Sequence, residues 1–138
     1  VKEAVSIPVI VNGDITALED VDTALAASGA DGVMIGRGCY GRPWFMAQVI
    51  AWRRHRARLP DPPLATQYAI LSEHYDDMLG HYGTDTGVKI ARKHIGWYSK
   101  GLPGSAEFRA QVNQTETVAR VKELIAGFYE PLMAREAA

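Results

Sequence analysis

Cysteine is nearly absent from this chain: Cys39 stands alone among 138 residues. A single thiol excludes a disulfide framework and fits a reducing, cytoplasmic compartment. No apolar run approaches the length of a membrane span and no secretory signal is visible, so no membrane partner is expected. Net charge is equally scarce. Fifteen Lys and Arg against sixteen Asp and Glu leave a formal charge of −1, which argues neither for nor against nucleic acid and leaves that question to local clustering. Internal repeats and low-complexity tracts are missing, no metal site is assigned, and Val1 is not an initiator methionine.

What the chain does have is a pair of glycine-punctuated segments, Ile7-Pro8-Val9-Ile10-Val11-Asn12-Gly13-Asp14 and Gly29-Ala30-Asp31-Gly32-Val33-Met34-Ile35-Gly36-Arg37-Gly38. Each reads as a fully buried parallel strand running into a turn. A helix fills the interval: Thr16 and Glu19 form a capping box, Leu18, Val21, Leu25 and Ala26 line one face, and Gly29 terminates it. The strand ends carry Asn12, Gly13 and Asp14 on one side and Gly36, Arg37 and Gly38 on the other. Backbone N–H groups freed by glycine, beside an arginine, suit a dianionic phosphoryl group. Arg37 is either a phosphate ligand or half of a surface ion pair, and Asp14 either contacts a ligand or caps the following turn. Cys39, just beyond, reads as a small packing residue.

Past Trp44 no further strand is convincing. The helix opening near Pro43 and Trp44 runs to the cluster Arg53, Arg54, His55, Arg56 and Arg58, which reads as a soluble helix end rather than an RNA site. Trp44 and Trp52 are expected in the core or between domains. Pro60-Asp61-Pro62-Pro63 is the best domain boundary. Helices follow at about 64–82, 85–99, 105–112 and 115–134, the makings of an all-α bundle. In the second of these, Val88, Ala91, Ile95 and Tyr98 form an apolar stripe, with Lys89, Arg92, Lys93 and Lys100 opposite. No acidic residue lies between Gly87 and Leu102. The basic face is either a solvated exterior or a phosphate-contacting surface, with His94, Trp97 and Tyr98 near enough to stack or hydrogen-bond.

Two strands cannot complete a parallel sheet, and a closed (β/α)8 TIM-type barrel takes roughly 250 residues. The opening therefore reads as the last piece of a larger α/β unit and the chain as a C-terminal fragment. The fold class expected is α/β plus all-α: a barrel end over residues 1–58, then a helical bundle over 64–138.

The two glycine segments, continued through Ile15 and followed by Gly41-Arg42-Pro43-Trp44, resemble the end of the flavin-binding barrel in tRNA-dihydrouridine synthases. Tyr82-Gly83 and Lys89-Ile90-Ala91-Arg92-Lys93-His94-Ile95-Gly96-Trp97-Tyr98 are similar to the RNA-binding helical domain of the bacterial B-type branch. The resemblance covers nearly the whole chain. It implies an oxidoreductase that holds FMN, takes a hydride from NADPH as a transient donor (NADH is not distinguished), and reduces uridine to 5,6-dihydrouridine in tRNA. It also implies FMN contacts at Asn12, Gly13, Asp14, Gly36 and Arg37, and tRNA contacts at Lys89, Arg92, Lys93 and His94. The family's proton-donating cysteine lies on an earlier barrel loop, so no catalytic residue is assigned here and the fragment alone is expected to be inactive. An uncovered two-strand piece is expected to self-associate or lose order. Two competing readings are another FMN-phosphate-binding barrel oxidoreductase and a non-enzymatic helical RNA-binding adaptor.

Overall fold

Residues 1–137 are described by a computed structural model and fall into two units, Val1–Asp61 and a second beginning at Pro62. The final residue of the range 64–138 lies outside the described residues. In the first unit β1 (Ile10–Asn12) and β2 (Gly32–Met34) pair in parallel, with Ile10 opposite Gly32, Val11 opposite Val33 and Asn12 opposite Met34. The crossover is α1 (Leu18–Ser28), and α2 (Phe45–His55) follows a 3-10 turn at Arg37–Cys39.

The start of α1 sits one residue later than Thr16 and Glu19 suggest. Ala17 is the N-cap, and the Asp20 carboxylate accepts the N–H groups of Thr16 and Ala17, each at 2.8 Å. Asp20 occupies the third helical position, from which a short carboxylate reaches back over the first turn, whereas Glu19 pairs with Arg58. Those backbone donors hold the Asp20 carboxyl below its ordinary range. Gly29 closes the helix in the left-handed region at φ 63°. On the inner face Leu18, Val21 and Leu25 are joined by Ala24, while Ala26 is exposed.

The strands are shorter and barer than the sequence predicts. Val33 packs against the core of Ile15, Val21, Phe45 and Val49, with Val11 beside it in register and half-buried. On the other face Ile10 is 57% exposed and Met34 47%. Helices cover only one side of this two-stranded sheet, so the continuous apolar runs are not matched by burial on both faces.

The second unit is built from α3 (Leu64–Tyr82), α4 (Thr84–Tyr98), α5 (Ser105–Gln114) and α6 (Val118–Glu136). Its core draws Leu71, Tyr75 and Met78 from α3, and Val88, Ala91, Ile95 and Tyr98 from α4. To these α5 adds Phe108 and Val112, and α6 adds Val121, Leu124, Ile125 and Tyr129. The apolar stripe expected on α4 is thus the buried one. Gly87 lets α4 close on α3, since a Cβ there would lie 3.0 Å from the Leu79 Cα and the Met78 carbonyl oxygen. Phe108 and Phe128 stack at 4.2 Å and tie α5 to α6. Among the described residues no helix is long and apolar enough to cross a membrane.

Candidate functional site

In the first unit the turns after β1 and β2 open into one concavity of about 320 Å3, whose walls include Asn12, Gly13, Asp14, Gly36, Arg37 and Gly38. Parallel pairing explains the convergence, because it puts both C-terminal strand ends on the same edge. Two devices hold the turns together. Gly38 is packed against the first turn so closely that a Cβ would fall 2.1 Å from the Ile15 carbonyl oxygen. Beneath them the Arg42 guanidinium donates to the Thr16 carbonyl in one turn and the Gly38 carbonyl in the other, and stacks over the Phe45 ring at 4.2 Å. By contrast, a Cβ at Gly13 would meet nothing within 4 Å, and one at Gly36 only Met34 Sδ at 3.9 Å. Those glycines keep the walls low where a ligand would approach.

Across the concavity Arg37 donates to Asp14 at 2.5 Å, with the two side chains 76% and 86% exposed. Pairs this exposed are worth about 0–1 kcal/mol, so stability does not require it. A dianion competes well for such a guanidinium. The donor set therefore fits a phosphate: Arg37 supplies charge, the Asn12 amide a neutral donor, and the glycine turns backbone N–H groups. Asp14 is an acceptor and suits a hydroxyl of the same ligand rather than its phosphate.

In the second unit α4 and α5 enclose a basic groove of about 370 Å3, lined by Lys89, Arg92, Lys93, Lys100, Arg109 and Asn113 around Gly96 and Trp97. Arg92 donates one N–H to the Thr115 carbonyl at 2.9 Å, while its buried Nε has no partner among the described residues. Lys93 reaches over the Trp97 ring at 5.9 Å from its centroid. Gly96 makes room for the Arg109 stem, whose Cδ would lie 3.4 Å from an added Cβ. His94 is not part of this lining. Its ring meets His74 of α3 edge-on at 5.2 Å and Trp97 at 4.9 Å. Burial, then His74 and Lys93, push its pKa below the ordinary imidazole value, so it favours the neutral form.

A family model described as dihydrouridine synthase matches residues 1–131. The chain belongs to the dihydrouridine synthase family. It is 52% identical to a probable tRNA-dihydrouridine synthase of Rickettsia prowazekii over 133 residues, 96% of this chain and 41% of that protein. It is 42% identical to tRNA-dihydrouridine synthase B of Xanthomonas campestris over 134 residues, 97% of this chain and 40% of that protein. With tRNA-dihydrouridine synthase B of Pseudomonas aeruginosa it shares 44% identity over 116 residues, 84% of this chain and 35% of that protein. The chain thus spans about two fifths of the length of the curated relatives it matches.

In this member of the family the remaining sequence candidates take quieter places. Cys39 packs against the first unit's core, and burial raises its thiol pKa. Arg53 and Arg56 pair with Asp22, Arg58 with Glu19, and both Arg56 and Arg58 lie over the Trp52 ring. Trp52, half-exposed, donates to Asp22 at 2.9 Å instead of filling the core. Sequence reading left out Arg42, Arg109 and Asn113 as site residues. A glycine inside a basic helix, Gly96, was the available signal that another side chain crosses α4 there.

Proposed function

We propose that the chain is the C-terminal part of a flavin-dependent tRNA-dihydrouridine synthase of the B-type branch. Residues 1–58 are the end of its TIM-type barrel, and residues 64–138 its helical tRNA-binding domain. Convergence of both glycine turns on one concavity with Arg37 at its edge carries the reading. Asn12, Gly13, Gly36 and Arg37 would hold the FMN phosphate, and Asp14 a hydroxyl of the same cofactor. When bound, FMN supplies the hydride chemistry that reduces the uracil C5–C6 bond, with NADPH as the source of electrons.

Lys89, Arg92 and Lys93, with Lys100 and Arg109, contact tRNA phosphates, and charge attraction there brings the substrate in. His94, neutral and set against His74, serves RNA by stacking or hydrogen bonding rather than by charge. None of these side chains transfers the substrate proton, and Cys39 is half-buried against the core with a raised pKa. The chain alone is therefore inactive, does not retain FMN, and tends to self-associate through its bare sheet face, where Ile10 and Met34 are exposed. The complete protein acts in the cytoplasm.

The test is made on the complete gene product. Purified, it should be yellow and should consume NADPH while forming dihydrouridine in tRNA that lacks the modification. Arg37→Ala should lose bound flavin. Lys89→Glu with Lys93→Glu should keep the flavin, weaken tRNA, and lower the slope of log affinity against log salt by about one per lost phosphate contact. A colourless protein that forms no dihydrouridine contradicts the proposal.

A further inference from the structure

The groove between α4 and α5 carries uncompensated charge. Among the described residues none of its five Lys and Arg side chains is in an ion pair, whereas Arg120 and Lys122 of the same unit pair with Glu123 and Asp76. Ammonium and guanidinium groups only donate hydrogen bonds, the Trp97 indole likewise, and Gly96 has no side chain. Asn113 is therefore the one residue of this lining whose side chain can accept a hydrogen bond, and its amide can donate as well. It is exposed, and its carboxamide makes no hydrogen bond to the described residues, so both capacities are open.

Position adds to this. Asn113 stands one turn beyond Arg109 on the same face of α5, about 6 Å along the helix axis. Arg92 crosses from α4 to donate to the Thr115 carbonyl at 2.9 Å, which brings its guanidinium to the end of α5 where Asn113 sits. A neutral group that accepts and donates is thus set among cations that suit phosphates. Phosphate contacts do not tell RNA from DNA, because both backbones carry them. The ribose 2′-hydroxyl does, and as donor and acceptor in one it matches a carboxamide. We propose that Asn113 takes the 2′-hydroxyl of a nucleotide whose phosphate lies on the neighbouring cations, and so makes the groove select RNA over DNA. The inference rests on the tRNA reading of the same groove.

Paired strands separate the two readings. The whole chain is titrated with a short labelled RNA single strand and with the DNA strand of the same sequence, and binding is followed by fluorescence anisotropy over a range of salt. The unaltered chain should prefer the RNA. Asn113→Ala should weaken RNA binding about twofold to tenfold, as expected for one lost hydrogen bond, and leave DNA binding unchanged. It should also leave the slope of log affinity against log salt intact, because a neutral hydroxyl releases no counterion. Lys89→Glu should weaken both strands alike and lower that slope by about one. The role of Asn113 is overturned by equal affinity of the unaltered chain for the two strands, by an undiminished RNA affinity in Asn113→Ala, by an equal loss on DNA, or by a lowered salt slope in that variant. Those outcomes leave the tRNA reading standing so long as Lys89→Glu has its effect. If neither strand binds, or Lys89→Glu leaves affinity and salt dependence intact, the tRNA reading falls and this inference with it.

Discussion

At Gly38 an added Cβ would lie 2.1 Å from the Ile15 carbonyl oxygen, a backbone atom that cannot swing away. Gly38→Ala should therefore destabilise the first unit by about 3 kcal/mol, the upper end of overpacking costs. Loss of hydrogen-exchange protection at the Val21 and Val49 amides would report it. Arg42 acts differently, since it joins the turns by donating to the Thr16 and Gly38 carbonyls rather than by filling space. Arg42→Ala should loosen the concavity and weaken phosphate binding about tenfold or more, with Arg37 intact; unchanged phosphate affinity by NMR titration would show that the clamp is dispensable. That Gly38 and Arg37 lie beside the first turn was legible from sequence, because a parallel strand–helix–strand unit puts both strand ends on one edge. Arg42 was not, because its partners are carbonyls 26 and 4 residues away, and carbonyls leave no trace in side-chain chemistry.

On α4 one face builds the core and the other a basic groove, and both were legible from a spacing of three and four residues. The same periodicity could not show what crosses the groove, since Arg109 arrives from α5 only once the bundle has packed. Nor could it show that His94 faces His74. Strand burial was misread for a related reason. An apolar run records what a segment is suited to touch, and in this chain helices cover one face of the sheet only. His94 gives this element a pH dependence whose sign follows from its environment. Burial, His74 and Lys93 lower its pKa from the ordinary 6.5, so the unfolded chain binds more protons than the folded bundle below that value. Stability should thus be full above about pH 6.5 and fall as pH drops through the lowered folded value. In urea titrations between about pH 7.5 and 5, His94→Gln should show a shallower loss than the unaltered chain. An identical pH slope in the two proteins would remove His94 as the cause.

Across the whole molecule, two units carry separate chemistry: a concavity suited to an anion in the first and a positively charged groove in the second. The division between the units falls between Asp61 and Pro62, inside the run Pro60-Asp61-Pro62-Pro63. The concavity was legible because its lining falls in two short stretches joined by one crossover helix, and the basic face of α4 in one, whereas a cavity between α3 and α6 draws on residues 68–76 and 122–125 and emerges only after folding. Everything proposed for the first unit depends on its two turns gripping a single anion. The most direct test is an amide NMR titration of the chain with inorganic phosphate, comparing the unaltered protein with Arg37→Ala. A shared grip predicts that Gly13, Asp14, Gly36, Arg37 and Gly38 shift along one saturation curve and that Arg37→Ala abolishes both sets of shifts. Shifts at only one turn, separate curves for the two turns, or no saturable response at either would contradict it.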